Sequence, residues 1–319
     1  MSIENMKYAR IEEVVPSMED FHVEAQLHCG LYSRVLRAVH VRSGSPVVLK
    51  ELNKQQLIRN EKLQMALQER SIHERLHHPS IVQLRSAFHN QQFLYFVLEL
   101  CESGSLYSLF VCNPTYITSN QVDLELPQQQ PLKIHATLIQ SIINQTLQAI
   151  KYLHLQNIIH CDVKPENILC SYRTSSEICV KLADFGSCID LKAFQSPKKI
   201  KQKHLPETTA GYTPPEFLKD EPKVTTAVDI WGLGCTLYFC VTGHHLFVDS
   251  STLKTYNAIE NFNSKVDPCL SSENLMLLSI QSKRSFGDNA LVFCEAVSDF
   301  LRKVLVRNPE DRLGFGESD

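Results

Sequence analysis

Residues 158–170 read IIHCDVKPENILC, and residues 181–188 read KLADFGSC. Each stretch sets charged or amide side chains among apolar ones: Asp162, Lys164, Glu166 and Asn167 in the first, Asp184 in the second. Taken singly, such a residue is a solvated surface charge. What flanks the two stretches decides whether they are more than that.

Upstream, Ile134, Leu138, Ile142, Ile143, Leu147, Ile150 and Leu153 keep helical spacing over about five turns. Downstream, Leu191 to Lys203 is polar and lysine-rich and reads as a loop. Beyond it, Thr225 to Val241 is apolar all round and predicts a buried helix, and Ala296 to Val306 predicts a last amphipathic one. The first hundred residues differ. Phe21 to Cys29, Ser33 to Val41, Pro46 to Leu52, Ile81 to Phe88 and Phe93 to Leu100 are short β-prone runs separated by turn signals. Between the third and fourth, Lys54 to His77 predicts one polar helix ended by Pro79. Residues 112–131, with three prolines and a glutamine run, predict an insertion loop. The outline is α+β: an N-terminal extension over 1–20, a small β-rich lobe over 21–100, and a larger helical lobe over 101–319.

Composition narrows the function classes. The 319 residues are 43% apolar and 21% charged, as in a globular protein. A net charge of -3 gives no support for nucleic-acid binding. No apolar run reaches the ~18–20 residues of a membrane span, and MSIENMKYAR lacks the pattern of a secretory leader. Eleven cysteines without a C-x-x-C pair predict reduced thiols in the cytosol or nucleus.

The ordered motifs resemble the protein kinase family. His160-Cys161-Asp162-Val163-Lys164-Pro165-Glu166-Asn167 is similar to its catalytic loop H-R-D-L-x-x-x-N, and Asp184-Phe185-Gly186 to its D-F-G. Val47-Val48-Leu49-Lys50 is similar to V-A-I-K, Pro214-Pro215-Glu216 to A-P-E, and Asp229-Ile230-Trp231 to the D-x-W of a buried helix. Asn308 to Leu313 resembles the closing element with its arginine, Arg312. The resemblance implies a bilobal fold, ATP and Mg²⁺ as cofactors, and transfer of the γ-phosphate to protein hydroxyls.

It also implies roles. Asp162 would orient the acceptor hydroxyl and take its proton, while Asn167 and Asp184 would hold Mg²⁺. Lys50 would grip the α- and β-phosphates and Lys164 would reach the γ-phosphate. Glu69, nine residues before His78-Pro79, would partner Lys50. Lys164 and Thr209 resemble the Ser/Thr-specific kinases rather than the tyrosine-specific ones. Gly30, Ser33, Val35, Val48, Leu98, Glu99, Cys101, Glu166 and Leu169 would complete the nucleotide site, and residues 187–213 would form the activation loop. Glu216 with Arg312 matches a structural ion pair, and Asp229 a tether of the catalytic loop.

Lys54 to Lys62, Glu69-Arg70 and Arg312-Leu313-Gly314 resemble the AGC group, and within it the phosphoinositide-dependent protein kinases, which phosphorylate the activation loops of other AGC kinases. That resemblance implies docking of such kinases near Lys54, Leu57, Ile58 and Arg70. The pattern breaks in five places. The glycine-rich loop keeps only Gly30, with His28 and Ser33 at the flanking glycine positions. Val48 replaces alanine under adenine, and Ser105 stands where many AGC kinases carry a glutamate. Cys161 replaces the arginine that receives the activation-loop phosphate. The phosphorylated serine position, eleven before Glu216, is Leu205. Both halves of one charge pair are absent together, so no phosphate switch is expected there.

Two other readings compete. A nucleotide-binding pseudokinase would explain the altered glycine loop and Val48. His73-Glu74-Arg75-Leu76-His77 fits H-E-x-x-H, the zinc-protease helix. The extended form of that motif fails at Ser80 and Gln83, and Pro79 breaks the helix just beyond.

Overall fold

The computed structural model describes residues 16–111, 134–172, 177–192 and 205–314. The insertion expected over 112–131, most of the extension expected over 1–20, and positions 193–203 of the lysine-rich segment lie outside the described residues. The chain divides into two compact units: residues up to Gln64 together with Leu84–Leu100, and Met65–Gln83 together with Cys101 onward.

The first unit is one antiparallel sheet. Its strands are β1 (Phe21–Cys29), β2 (Ser33–His40), β3 (Pro46–Asn53), β4 (Leu84–His89) and β5 (Phe93–Glu99), in the order β1-β2-β3-β5-β4. Side chains alternate between faces at period two. One face carries the core of Phe21, Leu36, Ala38, Val47, Leu49, Phe88, Tyr95 and Val97. Val35 pairs with Lys50 and Val48 with Leu98, so these four share the opposite face. At the β1–β2 turn the Gly30 amide donates to the Ser33 carbonyl at 2.8 Å.

β3 runs straight into a helix because Asn53 caps it, its side chain accepting from Gln56 N at 3.0 Å. The single helix expected over Lys54 to His77 is two, α1 (Lys54–Arg59) and α2 (Leu63–His73). Glu61, with φ 56°, breaks the run in a conformation that no hydrophobic period announces. On α1, Leu57 is 1% exposed and belongs to the interior, and Lys54 Nζ donates to the Asn90 carbonyl at 2.6 Å. The docking surface read from the sequence therefore loses Leu57, whereas Ile58 is 61% exposed.

The second unit is mainly helical: α3 (Leu106–Val111), α4 (Ala136–Leu155), α5 (Ala227–Thr242), α6 (Thr252–Asn261), α7 (Ser272–Gln281) and α8 (Ala290–Val304), with α2 from Met65 onward. Every residue of α5 is buried, as its all-round apolar sequence requires. Trp231 stacks 5.6 Å from Phe247, and a methyl at Gly234 would lie 2.8 Å from Leu305 Cδ2 on the loop after α8. Two small ladders stand on this core. β6 (Ile158–Ile159) pairs with β9 (Ile189–Asp190), and β7 (Ile168–Tyr172) with β8 (Ile178–Leu182). They deliver the loops that hold Asp162 and Asp184. A sheet unit and a helical unit make the fold α+β. No helix among the described residues is long and apolar enough to cross a membrane.

Candidate active site

The loop after β6 is shaped by one buried carboxylate. Asp229, on the first turn of α5, accepts from His160 N at 2.9 Å, Cys161 N at 2.8 Å and His154 Nε2 at 2.8 Å. Burial alone would raise its pKa, but the hydrogen bond and charge of His154, then His160, hold it below the ordinary carboxylate value. The two backbone bonds pin Cys161 at φ 66°, a left-handed conformation uncommon for a residue with a side chain. His160 is fixed as well. Its Nε2 donates to the Ala183 carbonyl at 3.1 Å and its Nδ1 accepts from Asp162 N at 3.3 Å, which selects the Nε2–H tautomer. Its ring packs edge-on to Phe185 at 5.4 Å.

Asp162 is 8% exposed and surrounded by donors. Oδ2 accepts from Lys164 Nζ at 2.6 Å and Asn167 Nδ2 at 2.9 Å. Oδ1 accepts from Thr209 N at 3.2 Å and Thr209 Oγ1 at 3.1 Å. Lys164 Nζ also donates to Thr209 Oγ1 at 2.5 Å, closing a ring of three side chains. Asn167 Nδ2 reaches the Asp162 carbonyl too, at 2.9 Å. Both partners are acceptors, so the amide orientation is settled and Oδ1 is the oxygen offered outward.

Asp184 sits in the left-handed region, φ 64° and ψ 87°, with Oδ1 accepting from Gly186 N at 3.4 Å. Its neighbour Phe185 is 1% exposed, so the same turn buries the ring and presents the carboxylate. Glu69 reaches this turn: a methyl at Gly186 would lie 3.4 Å from Glu69 Oε2. One amide oxygen and one carboxylate are donors of the type a hard divalent cation takes, and the Asn167 orientation fits that use.

Of the other residues expected at a nucleotide site, Gly30, Ser33, Val35, Val48, Lys50, Leu98 and Glu99 lie in the sheet unit. Cys101, Glu166 and Leu169 lie in the helical unit, where Leu169 bridges Ser105 and Glu166 Oε2 is buried without a hydrogen-bond partner. Ser105 caps α3, accepting from Ser108 N at 3.1 Å.

Beneath the site, Glu216 and Arg312 form a two-bond pair at 2.9 and 2.9 Å, with side chains 1% and 0% exposed. Arg312 also donates to the Val306 and Ala227 carbonyls and lies 5.2 Å from the Trp231 ring centroid. Its charge is thus met on every side, as a buried guanidinium requires.

The zinc reading fails on this geometry. α2 ends at His73, so His77 does not share a helical face with it. His73 is buried, donates from Nε2 to the Val82 carbonyl at 2.6 Å and packs 4.5 Å from Phe185. Glu74 accepts from Arg70 Nε at 2.7 Å, one turn back. Among the described residues no three His, Cys, Asp or Glu side chains gather to hold a metal. Sequence reasoning missed three participants: His154, Gln68 and Arg75. Gln68 Nε2 donates to the Cys188 carbonyl at 3.4 Å, and Arg75 pairs with Asp190 at 2.6 Å. Histidine in the last turn of a helix was the only available hint of the first.

Comparison with known proteins agrees with this arrangement. Residues 21–318 match the family model described as the protein kinase domain. The chain belongs to the protein kinase family. It is 30% identical over 279 residues to Citron Rho-interacting kinase of Homo sapiens, covering 85% of this chain and 12% of that protein. It is 28% identical to Serine/threonine-protein kinase cds1 of Schizosaccharomyces pombe, covering 94% of this chain and 58% of that protein. It is 30% identical to 3-phosphoinositide-dependent protein kinase 1 of Arabidopsis thaliana, covering 93% and 52%. The kinase domain thus spans less than two thirds of the length of each of these relatives. Family membership implies ATP as a substrate, together with a divalent metal.

Proposed function

We propose that this chain is a Ser/Thr protein kinase that moves the γ-phosphoryl group of ATP to hydroxyls of protein substrates. One observation carries the reading: Thr209 closes onto both Asp162 and Lys164, tying the activation segment to the catalytic loop. Asp162 orients the acceptor hydroxyl and takes its proton. Lys164, held 2.6 Å from Asp162, offers its charge to the transferring phosphoryl group. Asn167 and Asp184 would hold Mg²⁺, which would supply neutralisation of phosphate charge. Lys50 holds the α- and β-phosphates, with Glu69 as its carboxylate partner. Val35, Val48 and Leu98, on the same sheet face as Lys50, contact the base.

We read the kinase as AGC-type on the strength of Lys54 to Lys62, Glu69-Arg70 and Arg312-Leu313-Gly314. Its substrates include activation loops of related kinases, and Ile58 is the apolar side chain of α1 that faces solvent for their docking. Buried cysteines such as Cys240, whose thiol burial pushes up to about 12, fit a chain working in the cytosol or nucleus.

The test is transfer of labelled phosphate to AGC activation-loop peptides in Mg²⁺ and ATP. Wild type labels serine or threonine, and Asp162→Asn lowers kcat by ~10²–10⁴-fold. Thr209→Ala lowers it less and leaves ATP affinity in place. A folded wild type that binds ATP and transfers nothing would refute the reading in favour of a nucleotide-binding scaffold, which His28 and Val48 favour.

A further inference from the structure

The sequence shows only what is missing: an arginine at 161 in the catalytic loop and a phosphorylatable residue at 205 in the activation segment. The structure shows what stands there instead. Cys161 lies in a separate apolar cluster with Ile159, Ile189, Phe217, Val224 and Val228, each 5% exposed or less. Leu191 and Leu205, one from each limb of the segment, pack against it. The positions that would hold opposite charges share one hydrophobic cluster.

Polar bonds continue this anchoring along both limbs. Ser187 Oγ donates to the Glu207 carbonyl at 2.8 Å, joining the outgoing limb to the returning one. The outgoing limb is fastened to α2 by Gln68 on the Cys188 carbonyl, and to the turn after α2 by the Arg75–Asp190 pair at 2.6 Å. The remaining oxygen of Asp190 accepts from Lys192 N at 3.0 Å. Leu205 and Thr209 are four positions apart, a reach of at most about 14 Å. Fixing Leu205 therefore confines Thr209 to the neighbourhood of Asp162 and Lys164.

We propose that Leu205, with Leu191 and Cys161, is an apolar positioning set that holds the activation segment in its working place without phosphate. A phosphate on a side chain brings nearly two negative charges and needs an arginine to receive them. A leucine in an apolar pocket needs no modifying enzyme and has no off state. Regulation of this kinase then falls on substrate access or abundance rather than on an activating phosphate at this place.

The inference rests on the kinase reading above, so its test carries a readout that does not depend on turnover. The full chain is treated with a broad-specificity phosphatase, and loss of all phosphate is verified by intact mass. Phosphate transfer and hydrogen exchange over residues 205–217 are then measured on wild type, Leu205→Ser, Leu205→Glu and the double variant Cys161→Arg/Leu205→Glu. The expected result is undiminished transfer and strong protection in dephosphorylated wild type. Leu205→Ser should deprotect 205–217 and lower kcat by ~10–100-fold, as misplacement of a catalytic group does, with little change in KM for ATP. The double variant, with an arginine facing a glutamate, should recover part of what Leu205→Glu alone loses. Loss of transfer or protection on dephosphorylation would overturn the proposal, and so would a Leu205→Ser protein with wild-type protection and rate. Should wild type transfer nothing, the proposed activity falls and exchange alone decides. Protection that Leu205→Ser removes then sustains the apolar anchor, and its absence in wild type sinks it.

Discussion

Replacing Asp229 with asparagine removes one charge and almost no volume. The wild-type carboxylate serves three donors, the amides of His160 and Cys161 and the ring of His154, in a place 1% exposed. Asparagine has one acceptor oxygen, and its NH₂ must face a donor. At least one buried N–H is then left without a partner, at about 1–3 kcal/mol. The surviving bonds lose their charge assistance, roughly halving them, for about 2 kcal/mol more. The total of ~3–5 kcal/mol corresponds to a fall in Tm on the order of 10 °C for a domain of this size. Thermal melting followed by circular dichroism measures it. Release of Cys161 from φ 66° also moves Asp162, and a displacement near 1 Å costs ~10²-fold in rate. The pH dependence follows from the sign of the shift. The pKa of Asp229 is depressed by folding, so its contribution is complete above the ordinary carboxylate value of ~4 and is lost as pH falls through the lower folded value. Wild type should therefore lose its advantage over the asparagine variant below about pH 4. A variant melting within about 2 °C of wild type at pH 7, with unchanged kcat, would refute the tether as described.

Two further outcomes follow from the buried polar groups. Glu216→Gln leaves Arg312 with an uncompensated charge in a place 2% exposed, and should cost roughly 3–5 kcal/mol in urea unfolding. His73→Phe keeps the packing on Phe185 but orphans the Val82 carbonyl. It should lower stability by about 1–3 kcal/mol and leave the metal content of the purified protein unchanged. Stoichiometric zinc in wild type that this variant loses would reinstate a metal role for His73.

Much of the fold was legible because burial writes itself into periodicity. β1, β3 and β5 begin where alternation or apolar runs begin, and α5, apolar on nearly every side, is buried along its whole length. The break between α1 and α2 was not legible. Glu61 adopts a positive φ with neither glycine nor proline to announce it, and polar residues on both sides carry no phase. Met65–Gln83 packs with the helical unit, which no local pattern specifies, because partner choice is settled by surfaces far apart in the chain. In the site, Asp162, Asn167 and Asp184 could be found because they fall in two short motifs that resemble those of the family. His154 and Arg75 could not, since each meets its partner across at least seventy-five positions. The zinc-like motif lacks the geometry it suggests for a related reason. Four-residue spacing means one face only while the helix lasts, and α2 stops at His73.

The Glu216–Arg312 pair also has a consequence in time. The two residues are 96 positions apart, so at the ribosome the carboxylate is made first and waits about 5–20 s for its arginine. Until then the end of the activation segment has no buried cation to fasten it, and Trp231 lacks the guanidinium stacked near its ring. A nascent chain can thus form its sheet unit and its long helices while the segment that carries Thr209 is still unfastened. The fastening of that segment thus arrives with one of the last side chains of the described domain.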